Sequence, residues 1–311
     1  MDNTLSDNMN NIVINKNNNV DDVVNDVVND TENKELIRID INDTDPILFI
    51  DMSYYIFYRF FALCAWWKRA YPDEPLDIEK ILDNKIFINK YHKLFIENIK
   101  KITKKYRIQN ANIIFAKDCR RYNIWRNKYY EDYKKSRDDK NKRFNKDIFI
   151  YTYEKIVPDL KKLDISIAIN EKAEADDVIA ILKTVIRNRN YKIPIYIITN
   201  DHDYLQLFDD STYIYNLKGL NLRTKSRGNS KLDLQFKIFR GDTSDNITPV
   251  VSRKMRDDKL IDLIYNENLF NEFFKENQEL KKIYDRNELL IDFNKIPKNI
   301  SDDIIKFLKF I

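Results

Sequence analysis

The segment IPIYIITND, residues 193–201, joins an apolar run to an acidic end. Its four consecutive β-forming residues, 195–198, are typical of a strand buried on both faces. Asp201 and Asp203 follow two residues apart, so both side chains leave an extended chain on the same side. Two like charges are unfavourable at the end of a buried strand. The pattern therefore raises the question of which other groups reach the same place.

Similar apolar runs recur along the chain and alternate with helical stretches. The predicted strands are 46–51, 112–118, 165–170, 193–201 and 212–217. The predicted helices are 52–68, 78–106 (as one or two helices), 147–163 and 173–190, and the remainder is mainly helical. Strands that alternate with helices predict an α/β fold with a mostly parallel central sheet flanked by helices. In such sheets, ligands bind beyond the carboxyl ends of the strands.

The composition excludes several classes of site. Among 311 residues there are only two cysteines, too few for a disulfide framework or a cysteine zinc site. The three glycines form neither a Walker loop nor a GxGxxG motif. We find no apolar run long enough to span a bilayer, and the first residues lack the basic and apolar regions of a signal peptide. We therefore expect a soluble intracellular protein without a membrane partner.

The net charge of +4 conceals two oppositely charged regions. Residues 1–45 contain 11 acidic and 3 basic side chains in an Asn/Asp/Val-rich stretch that predicts a disordered tail. Residues 100–146 contain 17 basic and 5 acidic side chains. Tyrosines and a tryptophan are interleaved with the basic residues, which is typical of a nucleic-acid surface, although a charge run can also be a solvated face. We predict a catalytic domain at 46–220 that includes a basic arch at 119–146, and a C-terminal helical region at 221–311.

Acidic residues follow four of the predicted strands. They are Asp51, Asp118, the cluster Glu174, Asp176 and Asp177, and the pair Asp201 and Asp203; Asp242 and Asp245 add to them from GDTSDNI, residues 241–247. Taken singly, each could be a helix cap or a solvated loop acid. Together at one sheet edge they would repel unless cations bind between them. Oxygen ligands favour Mg²⁺ or Mn²⁺, and pairs of such ions are common in phosphoryl transfer.

Several of these stretches resemble the flap endonuclease and 5′–3′ exonuclease family, whose catalytic domain is PIN-like. AEADDVIAIL (173–182), TNDHDYLQL (199–207) and FRGDTSDNI (239–247) are similar to three of its motifs, and ILFID (47–51) is similar to its first. DCRRYNIWRNKYYEDYKKSR (118–137) resembles the basic arch of the T-even phage ribonuclease H branch, as does the closing segment 289–305. The resemblance covers residues 46–311. Together with the Asn-, Ile- and Lys-rich composition, it suggests a large DNA virus as the source.

The resemblance implies two ions per active site. The first group of metal ligands would be Asp51, Asp118, Glu174, Asp176 and Asp201. The second would be Asp203 and Asp245, with Asp242 nearby and Asp177 as an outer-shell acid. Lys134 and Arg137 match arch residues that contact the scissile phosphate. Arg121 and Arg126 match further phosphate-binding positions.

The implied function is hydrolysis of phosphodiester bonds at 5′ ends and flaps of DNA, and of RNA in RNA–DNA hybrids, in replication and repair. The protein would act as a monomer that works beside replication proteins. Two alternatives stay open: a PIN-like ribonuclease, and a non-catalytic nucleic-acid-binding protein of the same fold. One departure concerns duplex binding, because the family's glycine-rich helix-turn-helix has no counterpart in the glycine-free segment after residue 247.

Overall fold

The computed structural model describes residues 37–39, 45–136, 146–190 and 192–310. Its centre is a five-stranded sheet in the order β4-β3-β2-β5-β6. The strands are β2 (Ile47–Asp51), β3 (Asn112–Lys117), β4 (Ser166–Ile169), β5 (Ile195–Ile198) and β6 (Thr212–Tyr215). Every neighbouring pair is parallel. The chain first adds strands on one side of β2 and then on the other, which opens a crevice at the carboxyl edge beside β2.

Helices cover both faces of the sheet. They are α1 (Met52–Ala70), α2 (Lys85–Tyr106), α3 (Asp147–Tyr151), α4 (Val157–Lys161) and α5 (Ala175–Arg189). A π-helical segment, Thr152–Ile156, joins α3 to α4. Alternation along β2 divides the core, since Leu48 and Ile50 face the α1–α4 side whereas Ile47 and Phe49 face α5. The sheet is therefore buried on both faces, and the α/β fold with a mostly parallel sheet is confirmed.

The C-terminal part is helical. It contains α6 (Ser230–Arg240), α7 (Asp257–Tyr265), α8 (Glu267–Glu276), α9 (Gln278–Ile291) and α10 (Lys298–Lys306). Helices α6 to α9 share a hydrophobic core with Cys119, Ile124 and Tyr133, which follow β3. The basic segment thus packs on the C-terminal helices. The boundary proposed at residue 220 stays a prediction.

One prediction differs from the structure. Ile37–Ile39, within the stretch predicted as a disordered tail, forms β1 and pairs in parallel with β7 (Leu308–Phe310). Ile37 is buried in the core on the α5 side, and this burial explains why the segment Ile37–Ile39 forms a strand. The described part of the predicted basic helical arch contains short 3₁₀ helices at Arg121–Asn123 and Trp125–Lys128. The rest of the arch, residues 137–145, lies outside the described residues.

Among the described residues, no helix is both long and apolar enough to cross a membrane.

Candidate active site

Three acidic side chains follow adjacent strands at one edge of the sheet. Asp51 is the last residue of β2, Asp118 follows β3, and Asp201 lies three residues beyond β5. Because β2 pairs in parallel with both β3 and β5, these strand ends lie side by side. Neighbouring strands are about 4.8 Å apart. The structure therefore brings these acids to the edge where the sequence predicts them.

Local hydrogen bonds orient these carboxylates. Asp118 accepts from Ser53 Oγ at 2.7 Å and from the backbone N–H of Ala175 at 2.8 Å. Asp51 caps α1 by accepting from the backbone N–H of Tyr54 at 3.0 Å, and it accepts from Thr199 Oγ1 at 3.2 Å. Both acids thus have fixed directions, as a preorganised site requires.

The start of α5 supplies three more acids. Glu174 is the N-cap, and Asp176 and Asp177 lie in the first turn, where the helix dipole favours negative charge. Carboxylate oxygens of all three lie within 4.8 Å of one another. Burial, followed by the charges of Asp177 and Glu174, raises the pKa of Asp176 well above its ordinary value. Burial opposes ionisation of Glu174 as well, but the nearby Lys134 and Arg126 lower its pKa.

Arg126 forms a buried ion pair with Asp177. Its Nη1 and Nη2 atoms donate to the two oxygens of Asp177, each at 2.7 Å, and Nη1 also donates to Glu174 at 2.9 Å. Only 2% of Arg126 is exposed. In this structure the Arg126 donors are used inside the protein, and phosphate binding by Arg126 stays a prediction. Asp177 also accepts a hydrogen bond from Trp125 Nε1 at 2.9 Å, so both of its carboxylate oxygens have protein donors. Its assignment as an outer-shell acid of the metal site stays a prediction.

The acids at the sheet edge and at the start of α5 form a first acidic group. The GDTSDNI turn, residues 241–247, brings a second acidic group close to it. Asp203, Asp242 and Asp245 offer carboxylate oxygens that lie within 4.8 Å of one another. The turn closes on itself, since Asp242 and Ile247 exchange backbone hydrogen bonds of 2.9 and 2.7 Å. Gly241, which ends α6, has a φ of 66°, and a Cβ there would collide with the backbone of residues 247–249. A glycine is therefore required where the chain turns toward the site.

Two lysine ammonium groups lie within the acidic groups. Lys134 Nζ pairs with Glu174 of the first group and lies 4.0 Å from Asp245 of the second. Lys134 also has a left-handed backbone with φ 58°, an uncommon conformation for a residue other than glycine. Lys237 Nζ pairs with Asp203 and lies 2.9 Å from Asp242. Each cation occupies a place where negative charge converges.

Lys237 was not predicted from the sequence. It lies on α6, one turn before Gly241, and Gly241 donates a backbone hydrogen bond to its carbonyl at 2.8 Å. A basic side chain in the last turn of a helix, directly before an acidic motif, is a signal that could have found it. Lys134, in contrast, was predicted, and the structure places its ammonium between the two acidic groups.

Tyr204 is a second residue that the sequence did not single out. Its side chain is 1% exposed, and its hydroxyl has no hydrogen-bond partner among the residues that the structure describes. Burial raises the pKa of the Tyr204 hydroxyl well above the ordinary value. The negative charges of four nearby carboxylates raise it further, and these belong to Asp51, Asp176, Asp201 and Asp118. The hydroxyl therefore lies among the first group of carboxylates.

The remaining predicted basic residues have different positions. Arg121 donates from Nη2 to the carbonyl of Lys134 at 2.6 Å, so it supports the backbone of that residue. Arg137 lies outside the described residues. Tyr122 and Tyr129, on the basic segment, are 60% and 52% exposed.

These residues fit divalent metal ions. Both acidic groups offer only oxygen ligands, which hard divalent cations prefer. The ammonium groups of Lys134 and Lys237 supply positive charge at the places where such cations would bind. The unpartnered Tyr204 hydroxyl lies beside the first group. The residues placed to hold an ion are Asp51, Asp118, Glu174, Asp176 and Asp201 in the first group, and Asp203, Asp242 and Asp245 in the second.

Comparison with known proteins agrees with this geometry. The family model described as the 5′–3′ exonuclease N-terminal resolvase-like domain matches residues 46–233. The chain belongs to the 5′–3′ exonuclease family. Ribonuclease H of Enterobacteria phage T4 is 26% identical over 245 residues, which cover 72% of this chain and 78% of the phage protein. The 5′–3′ exonuclease of Buchnera aphidicola is 28% identical over 216 residues, 66% of each chain.

Solved structures share the family fold. The flap endonuclease of bacteriophage T5, in a pseudo-enzyme-product complex with DNA and metal ions, has a TM-score of 0.58 at 15% identity and covers 84% of this chain and 98% of its own. The T5 5′-exonuclease with bound zinc has a TM-score of 0.57 at 16% identity, with coverage of 84% and 99%. At these identities the likeness establishes the fold of this family member.

Proposed function

We propose that this family member is a divalent-metal-dependent 5′–3′ exonuclease and flap endonuclease that hydrolyses phosphodiester bonds of DNA and leaves a 5′-phosphate. One observation carries the proposal: two acidic groups meet at the carboxyl edge of the sheet, and the Lys134 ammonium lies between them. A binding protein has no need to gather so many carboxylates where phosphates must approach. Family membership and the names of the relatives support the same conclusion.

The two acidic groups would hold two Mg²⁺ or Mn²⁺ ions. When bound, such ions activate a water and stabilise the attacking and leaving oxygens of the phosphate. The carboxylates themselves need only be held in place, and the hydrogen bonds to Asp51 and Asp118 from Ser53, Tyr54, Thr199 and Ala175 do so. Asp177 and Arg126 fix the start of α5, which carries Glu174 and Asp176.

Lys134 would contact the scissile phosphate. Its side chain is 12% exposed, and its backbone N–H donates to the carbonyl of Asp245 at 3.0 Å, which fixes the residue beside the second acidic group. A positioned cation stabilises the negative charge that develops on a phosphate oxygen. Arg137, three residues later, would supply a second cation of the same kind.

The basic segment would guide the single-stranded 5′ end. Tyr122 and Tyr129 expose their rings, and Arg120 donates from Nη1 to the Tyr122 hydroxyl at 2.7 Å. Aromatic rings beside cations bind single strands by stacking on bases while the cations bind phosphates. We propose RNA–DNA hybrids as a second substrate, because one relative is named ribonuclease H.

The test is a cleavage assay with purified protein. We would compare a 5′-labelled flap duplex, a 5′-labelled RNA–DNA hybrid and single-stranded RNA, each with Mg²⁺ and with EDTA. Short labelled products that require Mg²⁺ are expected, and Asp118→Asn is expected to abolish them. Tyr284→Phe, a conservative change on α9 away from the acidic groups, is the matched control.

Two other results of the assay would each support one of the alternative functions. Cleavage of single-stranded RNA without cleavage of the flap would identify a PIN-like ribonuclease. Salt-sensitive binding without any cleavage would identify a non-catalytic nucleic-acid-binding protein. Either result would overturn the proposal.

A further inference from the structure

The outward face of helix α2 is strongly basic near the end of the helix. Five exposed cations lie there in the short stretch 100–107, and they are Lys100, Lys101, Lys104, Lys105 and Arg107. The four lysines are spaced so that they share one side of the helix. Among the described residues none of the five forms an ion pair, since the nearest acid along the helix, Glu97, pairs with Lys93. This face therefore attracts negatively charged groups.

A cluster of tyrosines borders the basic face. Tyr106, at the end of α2, stacks on Tyr215 of β6 with ring centroids 4.4 Å apart. Tyr196 of β5 stacks on Tyr213 of β6 with ring centroids 5.0 Å apart. Tyr213 is 36% exposed, and Leu220, in the turn after β6, is 42% exposed. Apolar surface therefore lies next to the end of α2.

Lys105 connects the basic face to the tyrosine cluster. Its ammonium lies 5.4 Å from the centre of the Tyr106 ring. It also lies against Gly219, in the turn after β6, where a Cβ would collide with it. The two parts therefore form one continuous surface. We call it the α2 surface, and it consists of Lys100, Lys101, Lys104, Lys105, Arg107, Tyr106, Tyr196, Tyr213, Tyr215 and Leu220.

The α2 surface contains none of the residues that form the two acidic groups, so its ligand is a separate question. Its charge suits a ligand with several negative charges, and its exposed tyrosine and leucine suit apolar groups on the same ligand. The tyrosine rings mostly pack face to face on one another. This packing leaves ring edges for methyl groups more than ring faces for stacked bases. An acidic polypeptide with apolar side chains fits this chemistry.

The N-terminal part of the chain contains a segment of this kind. Residues 20–30, VDDVVNDVVND, hold four aspartates, five valines and no basic residue. The valines stand at positions 20, 23, 24, 27 and 28, a spacing that would give a helix one apolar face and leave the aspartates on the rest. The segment lies outside the described residues. Its sequence pattern matches both the charge and the apolar part of the α2 surface.

The connection to the fold is long enough for this contact. Residues 20 and 30 precede Ile37, the first residue of β1, by 17 and 7 positions. An extended chain covers about 3.3 Å per residue, so these links span at most roughly 56 and 23 Å. Strand β1 contacts β4, and β4 lies four strand spacings, about 19 Å, from β6. A tethered segment acts at a high effective concentration, so weak ion pairs suffice to hold it.

We propose that residues 20–30 bind the α2 surface of the same chain. The aspartates lie beside the α2 lysines, and the valines pack on the tyrosine cluster. The inference does not depend on the proposed function, because the contact requires neither a metal ion nor a nucleic acid.

The test is chemical crosslinking of the full-length protein with a carbodiimide, which joins a carboxylate to an amine that touches it. Peptide mapping by mass spectrometry then identifies the joined residues. Lys275 and Lys298, which are exposed on α8 and α10, serve as reference lysines. A mixture of unlabelled and ¹⁵N-labelled protein distinguishes crosslinks within one chain from crosslinks between two chains.

We expect amide bonds between the aspartates of residues 20–30 and the α2 lysines, formed within one chain at about 50 mM salt. At about 1 M salt the yield should fall to that of the reference lysines, because the Debye length is then about 3 Å.

Two variants separate specific docking from random encounters. In Lys100→Glu/Lys104→Glu, the two remaining α2 lysines should crosslink no more than the reference lysines. In Val23→Ser/Val27→Ser, the yield should also fall although every charge is kept, because the apolar contact is lost.

A charge swap supplies the matched control. Asp21→Lys/Asp26→Lys, combined with the glutamate variant of α2, should restore crosslinks between the segment and α2, since both charges are reversed. The same aspartate variant combined with Lys275→Glu/Lys298→Glu should not form crosslinks between the segment and the reference positions above the wild-type level.

The inference is overturned if the α2 lysines of the wild type crosslink to residues 20–30 no more than the reference lysines do. It is also overturned if the charge swap restores nothing, or if the crosslinks join two chains. Lysine acetylation gives a further check. Acetylation of the α2 lysines that a single-stranded oligonucleotide slows, and that Asp21→Asn/Asp26→Asn leaves unchanged, would assign the surface to nucleic acid and overturn the inference.

Discussion

Arg126 and Asp177 form a bidentate ion pair in the protein interior, with both N–O distances at 2.7 Å. The Arg126 side chain is 2% exposed, and Asp177 is fully buried. Arg126 also reaches Glu174 and the carbonyl of Leu290, so it joins the segment after β3 to α5 and to α9. This one side chain therefore connects the acidic site to the C-terminal helices.

Removal of this arginine should destabilise the protein. We expect Arg126→Ala to lower the free energy of unfolding by about 3–5 kcal/mol, because it leaves Asp177 buried without its partner. Arg126→Lys should also be destabilising, since an ammonium cannot reproduce the bidentate geometry. Urea denaturation measures the change. Arg256→Ala, which removes an exposed pair with Asp258, is the control, and an equal effect of the two substitutions would contradict the prediction.

Removal of the unpartnered Tyr204 hydroxyl should stabilise the protein, in contrast to removal of the Arg126 side chain. In the absence of metal, Tyr204→Phe should raise the free energy of unfolding by about 1–2 kcal/mol, because it removes a buried polar group that has no hydrogen bond. Tyr284→Phe should lower it, since that hydroxyl donates to Gln235 Oε1 at 2.9 Å. Chemical denaturation in EDTA compares the two. Destabilisation by Tyr204→Phe would show that its hydroxyl has a partner in the metal-free protein.

Lys237 neutralises the second acidic group. Removal of its charge should increase the stabilisation of the protein by bound Mg²⁺. Without metal, Lys237→Gln should lower the free energy of unfolding by about 2 kcal/mol, because Asp203 and Asp242 lose a charged hydrogen-bond donor. Added Mg²⁺ should then raise the melting temperature more than in the wild type, since the ion no longer competes with the ammonium group.

Differential scanning fluorimetry with and without Mg²⁺ tests this expectation. Lys231→Gln is the control, because Lys231 is exposed on the same helix and lies outside the acidic group. Equal Mg²⁺ shifts in the wild type and Lys237→Gln would contradict the prediction.

Asp209 makes stability depend on pH. Burial alone would raise the pKa of this carboxyl, but hydrogen bonds from Arg187, Lys183 and Thr212 outweigh burial and hold the pKa well below its ordinary value of 3.8. The folded state therefore binds this proton less readily than the unfolded state. The resulting stability is present above about pH 4 and is lost as the pH falls further.

The comparison of Asp209→Asn with the wild type measures this dependence. The variant should be less stable at pH 7, and the difference in urea midpoint should shrink as the pH is lowered from 5 toward 2. A difference that stays constant over this range would mean that the negative charge of Asp209 does not contribute to the stability of the protein.

Much of the fold and part of the site follow from local sequence. The apolar runs ending at Asp51, Asp118 and Asp201 predict buried parallel strands, and the alternation of strands with helices predicts that those ends share an edge. Backbone geometry forces this result, because parallel strands joined by helical crossovers all point the same way. The carboxylates could therefore be grouped without coordinates.

Other features depend on contacts between distant segments. The sequence gives Arg126, Arg121 and Lys134 the same basic character, but only packing buries Arg126 beside Asp177, sets Arg121 against the Lys134 backbone and leaves the Lys134 ammonium between the acidic groups. Burial changes the role of a charge, because a buried arginine must use its donors inside the protein.

The sequence by itself determined the α/β architecture and the set of acids at the sheet edge, because both depend on periodicity and on the direction of parallel strands. Only the tertiary structure decided which cations neutralise the acids and which hydroxyl is left unpartnered among the described residues. These depend on side chains far apart in the chain, such as Lys134 and Glu174 or Lys237 and Asp203, that meet only when the segments carrying them pack together.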